Sequence, residues 1–388
     1  MMIKMDFKNP MPAFSLPALL LLNPQSIPKP QSGWLSAINE AAERNLDTPL
    51  LSVTHKTRVP PSGDLHDYLS LGTYWWRNPS TPDGLPYIRR DGEKNPEGDQ
   101  YDAPKLKQLG EAVFTLAWAG FFTGDQRFSN HAAFLLKAWF IDPATRMNPH
   151  LEYGQFIPGI CDGRGIGIID TSIVFPYLLD AIRVIAASGA FNQIDLAALK
   201  EWMEAYTTWL LTSPNGQDEA IQHNNHGTWY DVQLAAMALF TGQTNLAAEV
   251  CLTARKLRIE AQIEPDGQQP FELARTRSLS YSTMNLEGFI NLATLGQHAG
   301  VDLWHYESAD GRSIRKALDW LLPYAIGEKE WSHQQITSFD RRTFYSIYRR
   351  AALAYQDERY ESALGTLPPS LDHHWALLLY PPLIPRQG

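Results

Sequence analysis

The sequence predicts a mainly α fold made of recurring helical hairpins, and three observations carry this prediction. From Leu106 to Phe121 apolar residues recur at spacings of three and four, which places them on one face of a helix. No segment keeps a regular alternation of apolar and polar residues, so any strands are short. Two predicted helices end alike, in Phe122-Thr123-Gly124 and Phe240-Thr241-Gly242, and a glycine there is the usual left-handed C-cap.

The same periodicity returns along the rest of the chain. It predicts further helices over 129–140, 171–187, 195–211, 230–240, 246–262, 283–298, 312–326 and 340–356. An array of helix pairs buries its core between neighbouring pairs, so we expect one domain over residues 1–388. Residues 1–14 would be an N-terminal extension and 331–388 would form C-terminal helices and a tail.

The N-terminal residues Met1–Leu22 have the outline of a signal peptide, with two lysines before a mostly apolar stretch. Three prolines interrupt that stretch and no small-x-small cleavage motif follows it, so we expect an irregular segment packed on the domain. The apolar run Ala18–Leu22 is too short to span a bilayer, which predicts no membrane insertion.

Composition excludes several classes of protein. The 388 residues include 33 Lys and Arg against 42 Asp and Glu, a formal net charge of −9, so general binding to nucleic acid is not expected. A hydrophobic fraction of 44% excludes disorder. Cys161 and Cys251 are too few for a disulfide framework or a metal cluster.

Three long polar and aromatic stretches interrupt the helices, namely 57–101, 141–170 and 264–281. Loops of this length inside a compact domain are usually functional or disordered. Their content of Trp, Tyr and Arg argues against disorder, so we expect them to build the functional site.

The densest polar cluster lies around Asn224, Asn225 and His226. If 216–240 is mostly helical, one face carries Glu219, His223, His226, Tyr230 and Gln233. That face could be solvated or could bind a ligand. The two histidines could also ligate a metal, but no further Cys/His set accompanies them and we predict no metal site.

A second cluster, Glu272, Arg275, Arg277 and Tyr281, follows a turn-like Pro265-Asp266-Gly267. The guanidinium fork of arginine binds a planar carboxylate through two parallel hydrogen bonds. An ion pair between Arg275 and Glu272 is the structural alternative.

The residue types of the two clusters fit the elimination of a 4-linked uronic acid. That reaction needs its C5 carboxylate neutralised, a base for the C5 proton and an acid for the departing O4. Asn and His can donate to the carboxylate, Arg can supply charge, and Tyr can give or take a proton. An unperturbed tyrosine titrates near about 10, and nearby cations would favour its ionised form.

The run Asn224-Asn225-His226-Gly227-Thr228-Trp229-Tyr230-Asp231-Val232-Gln233 resembles the N-N-H-x-x-W/Y-x-x-Q signature of the alginate-lyase-domain polysaccharide lyases. The resemblance covers roughly residues 15–330. Further matching motifs are His66-Asp67-Tyr68-Leu69-Ser70, Tyr74-Trp75-Trp76, Gly84-Leu85-Pro86-Tyr87, Arg90-Asp91-Gly92, Trp139-Phe140, Thr145-Arg146-Met147-Asn148-Pro149 and Glu272-Leu273-Ala274-Arg275-Thr276 followed by Tyr281.

This resemblance implies an incomplete α/α toroid with a substrate groove over one end and a lyase that uses neither metal nor cofactor. Members act on alginate, and some related proteins cleave β-1,4-glucuronan. The implied partner is therefore an anionic polysaccharide, with polymannuronate as first choice and glucuronan as the alternative. Such a substrate favours a periplasmic or secreted location, while the lack of a clear signal peptide leaves cytoplasmic action on oligosaccharides open.

Carried over residue by residue, the resemblance implies that Asn225 and His226 hold the C5 carboxylate. Tyr281 would protonate O4 and also act as base when both groups leave from one face, as in mannuronate; His226 would be the base for guluronate. Arg275 would neutralise charge beside Tyr281. The better-known alginate lyases place this arginine seven residues before the tyrosine, where this chain has Ala274, which predicts a sister branch.

Other side chains are expected to contact substrate. Three aromatic residues of the first long loop could stack on sugar faces: Tyr74, Trp75 and Trp76. Polar residues of the loops could meet hydroxyls and carboxylates: His66, Tyr68, Gln155 and Arg164. The two clusters would add Glu219, Trp229, Tyr230, Gln233, Glu272 and Arg277.

Two other functions stay open at this point. A glycoside hydrolase would need two carboxylates about 5 to 10 Å apart, for which Asp231, Glu219, Asp266 and Glu272 are the candidates. A catalytically silent sugar-binding protein would be marked by the loss of His226 or Tyr281, and both are present.

Overall fold

The computed structural model describes residues 32–368, 379–380 and 382–383, and it is mainly helical as predicted. The expected N-terminal segment Met1–Leu22 lies outside the described residues. The chain forms two compact units. The first unit comprises Leu35–Gln222 with Phe240–Gly242, and the second comprises His223–Leu239 with the residues from Gln243 onward. A helix α1 spans Ser32–Asn45.

Helical hairpins form most of the first unit. Its helices are α2 Asp102–Thr123, α3 Gln126–Phe140, α4 Ile169–Ser172, α5 Phe175–Ala187, α6 Gln193–Thr212 and α7 Pro214–Ala220. Gly124 ends α2 in the left-handed conformation, with φ 73°, as its sequence predicts. The side chain of Asp125 then caps α3 by accepting from the backbone N–H of Arg127. The two helices therefore pack as an antiparallel pair.

The first two long loops carry four short strands. Strand β1, Leu69–Leu71, pairs in parallel with β4, Tyr153–Phe156, and β2, Trp75–Trp76, pairs in antiparallel with β3, Ile88–Arg89. Short 3₁₀ turns span Pro96–Gln100 and Gly165–Ile168. A small apolar cluster holds these loops in place: Leu69, Leu71, Tyr87, Tyr101 and Ile157.

The second unit is built around two largely buried helices. Its elements are α8 Asn225–Thr241, α9 Thr244–Ala254 with a π-helical continuation Arg255–Glu260, α10 Pro270–Leu273, α11 Ser278–His298, α12 Ile314–Ile326, a 3₁₀ turn Arg341–Thr343, α13 Phe344–Tyr355 and α14 Glu358–Leu364. Helix α11 packs against α9, α12 and α13, and most of its residues are buried. Gly242 follows α8 with φ 87°, so the second predicted C-cap is also confirmed.

The helix boundaries differ from the sequence-based interpretation at two places. Residues 216–240 are not one helix, because α7 ends at Ala220 and α8 begins at Asn225. Asn224 starts the new helix by accepting the backbone N–H of His226 on its side-chain oxygen, at 3.2 Å. Likewise 264–281 is not one loop, since it contains α10 and the first turn of α11. Tyr281 therefore lies on a helix.

None of the helices among the described residues is both long and apolar enough to cross a bilayer.

Candidate active site

The first turn of α8 presents Asn225 and His226, and a carboxylate from α10 holds Asn225. The Glu272 carboxylate accepts the backbone N–H of Asn225 on Oε1 at 2.6 Å. The Nδ2 of Asn225 lies 2.9 Å from both Oε1 and Oε2. Both residues are buried, with only 1% of each exposed, whereas the neighbouring His226 is half-buried. The pair therefore forms a fixed support beside an accessible imidazole.

Arg275 and Tyr281 form the second part of the site. The Arg275 guanidinium carbon lies 3.8 Å from the centre of the Tyr281 ring, so the cation stacks on the ring face. Both side chains are half-buried. The backbone N–H of Arg275 donates to the carbonyl of Glu272 at 3.1 Å. A continuous set of contacts thus leads from Asn225 through Glu272 and Arg275 to Tyr281.

The first turn of α11, which carries Tyr281, is held by a distant segment. Arg277 provides no side-chain cap for this helix. The side-chain oxygen of Gln335 instead accepts the backbone N–H of Leu279 at 3.1 Å and of Ser280 at 3.4 Å. These are two of the amides that a helix start leaves unpaired, so Gln335 caps α11 from 56 residues away in sequence.

Arg277 was expected to contact substrate, and the structure turns it towards the same distant segment. Its Nε donates to Thr337 Oγ1 at 3.1 Å, and its backbone forms a bridge with Gln335. Arg275 and Arg277 therefore have different surroundings, since only Arg275 stacks on Tyr281.

A chain of buried amides connects α8 to α11 beneath these residues. Gln262 Oε1 accepts from Thr228 Oγ1 of α8 and from Asn285 Nδ2 of α11, both at 3.0 Å. Asn285 Nδ2 also donates to Gln269, whose own amide donates to the carbonyl of Ser282, the residue after Tyr281. Because a buried amide loses several hydrogen bonds if it moves, this chain fixes the two helices relative to each other.

Three residues of the N-N-H motif region do not reach solvent. Trp229 and Gln233 are completely buried and Tyr230 is 4% exposed. The Trp229 ring nitrogen donates to the carbonyl of Met284 at 3.0 Å, which joins α8 to α11. Contact of these side chains with substrate therefore stays a prediction, and the hydrogen bond of Trp229 gives that ring a packing role in addition.

In the first unit, the predicted loop residues converge on Asp170, a carboxylate that no sequence motif singled out. Its Oδ2 accepts from Ser70 Oγ at 2.5 Å and from the Tyr68 hydroxyl at 3.1 Å, and its Oδ1 accepts from Gln155 Nε2 at 3.0 Å. Burial raises the pKa of the Asp170 carboxyl, although these donors and Arg164 oppose the shift.

Gln155 in turn holds the side chain of Arg164 in place through hydrogen bonds. Its backbone has φ 49°, a left-handed conformation that costs a non-glycine residue energy, and Ser70 Oγ accepts its N–H at 2.8 Å. Its Oε1 accepts from Arg164 Nη2 at 2.8 Å, and its carbonyl accepts from Arg164 Nε at 3.2 Å. The Arg164 guanidinium lies 5.9 Å from the centre of the Trp75 ring. Arg164 and Trp75 thus form a half-buried pair on a rigid support.

The other aromatic and histidine predictions lie nearby in the same loops. Trp76 donates its ring nitrogen to the carbonyl of Glu93 at 2.9 Å, with Arg90 over its ring. His66 Nδ1 lies 2.6 Å from the carbonyl of Arg146. Tyr74, Trp76 and His66 are all half-buried, so part of each side chain stays accessible.

Three predicted substrate contacts in the first unit fall on side chains with little exposure, and they stay predictions. Tyr68 and Glu219 are completely buried and Gln155 is 6% exposed. The Tyr68 hydroxyl and the Gln155 NH2 group donate to Asp170, so both residues belong to the support of this part of the site. Glu219 lies in α7 and does not share a helix with His226. In the second unit, Glu272 is likewise occupied by Asn225.

Across the part of the chain that the structure describes, no group of three or more His, Cys, Asp or Glu residues is arranged to hold a metal ion.

The sequence did not predict the supporting roles of Asp170, Gln335 and Asn285. Asn285 left one signal, a polar residue in the predicted apolar helix 283–298, which is typical of a buried amide. Asp170 and Gln335 act on partners far away in sequence, and no local pattern marks them.

Comparison with known proteins gives a consistent result. A family model described as alginate lyase matches residues 52–331. The crystal structure of an alginate lyase from Bacteroides ovatus is 40% identical, covers 94% of this chain and 97% of its own, and superposes with a TM-score of 0.88. No curated protein sequence gives a significant match.

More distant structures share the fold. Alginate lyase A1-III from Sphingomonas species A1 is 16% identical, with a TM-score of 0.56 and coverage of 92% of this chain and 97% of its own. A variant of A1-III complexed with a tetrasaccharide is also 16% identical, with a TM-score of 0.57 and coverage of 96% and 94%. Since these lyases are α/α toroids, the predicted fold class is confirmed.

Proposed function

The chain belongs to the alginate lyase family and is a polysaccharide lyase, and from this premise we propose that it cleaves a 1,4-linked polyuronate by β-elimination. The product would carry a 4,5-unsaturated uronate at its new non-reducing end. The observation that carries the proposal is the stacking of Arg275 on Tyr281 next to the Asn225–Glu272 pair.

The proposed chemistry begins at the uronate carboxylate. Asn225 and His226 donate to it, which withdraws charge and makes the C5 proton more acidic. The phenolate of Tyr281 removes that proton and becomes a phenol, the C5–H electron pair becomes the C4=C5 double bond, and the C4–O4 bond breaks with its electron pair on O4. The same tyrosine then protonates O4, so that no atom is lost and no water is consumed.

Arg275 supports the role of Tyr281. As Tyr281 takes the substrate proton and passes it on, charge changes on the ring that Arg275 covers at 3.8 Å. A guanidinium in that position stabilises the anionic form of the tyrosine. One residue that both takes and gives the proton suits groups that leave from the same face, which favours polymannuronate over polyguluronate, and polymannuronate is our first choice. Glucuronan cleaved by the same mechanism is the alternative, and for guluronate His226 would be the base.

The hydrolase alternative loses support from the surroundings of its candidate carboxylates. Asp231 accepts from both Nε and Nη2 of the buried Arg258, at 2.8 and 3.1 Å. Glu272 is engaged with Asn225, and Asp266 accepts from Gln268 within a turn. Carboxylates bound in this way are poorly suited to act as an acid and a base that flank a glycosidic bond.

We also propose that the first unit contributes to substrate binding. Arg164 would meet a uronate carboxylate, and Trp75, Trp76, Tyr74 and His66 would offer aromatic faces and hydrogen bonds. Supporting this, the Arg164 side chain is fixed by Gln155 before any ligand arrives, which lowers the entropy lost on binding.

A polymer panel tests the proposed function. The protein is incubated separately with polymannuronate, polyguluronate and glucuronan, while ultraviolet absorbance of the unsaturated uronate and the number of reducing ends are followed. We expect both signals to rise together, fastest on polymannuronate. Reducing ends without the absorbance would identify a hydrolase, and no change on any polymer would contradict lyase activity on these polyuronates.

A further inference from the structure

Glu272 is buried, yet it belongs to the accessible site through the residue it holds. Its carboxylate lies at the N-terminus of α8, where the backbone N–H of Asn225 donates to Oε1 at 2.6 Å. A carboxylate is favourable at that end of a helix because the first amides are unpaired and the helix dipole is positive there. This contact accounts for one oxygen of Glu272 and satisfies one of the unpaired amides at the start of the helix.

The second contact concerns the side chain of Asn225. A planar amide can rotate by half a turn and exchange its oxygen with its NH2 group at almost no change in shape. Here Nδ2 lies 2.9 Å from each oxygen of Glu272, and a carboxylate accepts but cannot donate when it is ionised. One N–H is shared between the two oxygens, and the second N–H of the same NH2 group points about 120° away from it.

We propose that Glu272 is a positioning residue that fixes the orientation of the Asn225 amide, so that an N–H rather than a carbonyl oxygen faces the substrate carboxylate. The inference rests on the proposed function. With the amide reversed, Asn225 would present an oxygen to an anion, and the charge withdrawal that makes the C5 proton acidic would be lost. Glu272 thereby selects anionic uronates without touching them.

The surroundings of Glu272 fit this role. Burial raises the pKa of its carboxyl, while the two donors of Asn225 and the charges of Arg275 and His226 oppose that shift. A buried carboxylate is costly unless it is hydrogen-bonded, and Asn225 supplies the hydrogen bonds that the structure gives it. Removing either side chain therefore leaves the other buried without these side-chain hydrogen bonds.

A cycle of variants tests the proposal: Glu272→Gln, Asn225→Ala and the two combined, compared with wild type in kcat and KM on polymannuronate. In Glu272→Gln one oxygen still accepts the helix N–H, but the new NH2 group opposes that of Asn225. Each single variant should lose about 100-fold in kcat/KM, the usual range for one donor to a developing charge. The double variant should lose no more than Asn225→Ala alone.

A further pair separates positioning from stability. In Glu272→Gln combined with Asn225→Asp, donors and acceptors match again with reversed polarity, so the unfolding temperature should return towards that of wild type. Activity should stay lost, because the carboxylate introduced by Asn225→Asp presents an oxygen to the substrate. Activity that recovers together with stability would overturn the proposal, as would losses that multiply in the Glu272→Gln/Asn225→Ala double variant. A wild type that forms no unsaturated uronate would instead overturn the proposed function.

Discussion

The two units hold their polar residues in opposite ways. In the second unit, the buried Glu272 and the half-buried Gln335 support the residues next to them, and His226 and Tyr281 stay half-buried and accessible. In the first unit, Asp170 accepts hydrogen bonds from Tyr68 and Gln155. The accessible side chains there are Arg164, which is held in place, and Trp75 beside it.

From this difference we infer a division of labour. In this proposal the second unit supplies the groups that move protons, and the first supplies a permanent cation and an aromatic face. Substitutions in the second unit should therefore lower kcat, and those in the first should raise KM.

The largest expected effect is that of Tyr281→Phe. Removing the hydroxyl removes both proton transfers, so kcat should fall about 10³-fold while KM changes little. The measurement is the initial rate of unsaturated uronate formation over a range of polymannuronate concentrations. Tyr324→Phe, a half-buried tyrosine of α12, is the matched control and should keep wild-type kinetics. Near-normal turnover of Tyr281→Phe would show that another group moves the protons.

A smaller and different effect is expected for Arg164→Ala. Loss of a charge-assisted hydrogen bond to a uronate carboxylate costs about 1.5–3 kcal/mol, so KM should rise by about 10-fold or more. The kcat value should stay within about threefold of wild type, because Arg164 would bind ligand and transition state alike.

Arg89→Ala serves as the control for Arg164→Ala. Arg89 is exposed and paired with Asp91 at 2.7 Å, so its removal should change neither constant. If Arg164→Ala lowers kcat without raising KM, the division of labour between the units is wrong.

Asp170, which supports the first unit, also predicts a pH dependence of the protein's stability. Burial raises the pKa of Asp170 in the folded state, so its contribution to stability is fully present below the unfolded pKa of about 3.9 and is lost as pH rises through the folded value. Asp170→Asn removes this loss. The unfolding free energy of the variant minus that of wild type should thus rise by up to about 1.4 kcal/mol per pH unit above about pH 4, and then level off.

Denaturant unfolding at a series of pH values measures this difference, with Asp266→Asn as the control. Hydrogen bonds from Gln268 hold the pKa of Asp266 below its usual range, so this group is ionised in both states above about pH 5. The difference for Asp266→Asn should be flat from there to neutrality. A flat result for Asp170→Asn too would contradict the raised pKa of Asp170.

The smallest expected effect is a difference in thiol reactivity between the two cysteines. Cys251 of the second unit is fully buried and burial raises the pKa of its thiol to about 12, whereas Cys161 of the first unit is half-buried. Only a thiolate reacts readily, so a disulfide reagent at about pH 8 should label Cys161 alone in the native protein and both cysteines after unfolding. Rapid native labelling of Cys251 would show that the second unit opens locally.

The sequence predicted the helices well because their signals are local. The three- and four-residue periodicity located α2 and α11, and Gly124 and Gly242 marked two of the ends. The break between α7 and α8 was missed because Glu219, His223 and His226 fit one helical face whether or not the helix continues. The capping role of Asn224 is the physical reason for that break.

The sequence predicted the residues of the site less well than it predicted the helices. The motif selected Asn225, His226, Arg275 and Tyr281, and the structure brings Asn225, Arg275 and Tyr281 together through Glu272. It also selected Trp229, which is buried, because a motif does not distinguish a side chain that packs from one that binds.

The supports could not be read from the sequence, because their contacts span long stretches of chain. Ser70 and Asp170 are 100 residues apart, and Gln335 lies 56 residues from Leu279.

The most direct test of the account is a mass balance on a single cleavage. A purified mannuronate tetrasaccharide is incubated with the protein, and the masses of the two fragments are added. Elimination transfers no water, so we predict that the fragments sum to the mass of the parent and that Tyr281→Phe yields almost none of them. Fragments that sum to the parent plus one water would show hydrolysis and would contradict the roles assigned to His226 and Tyr281.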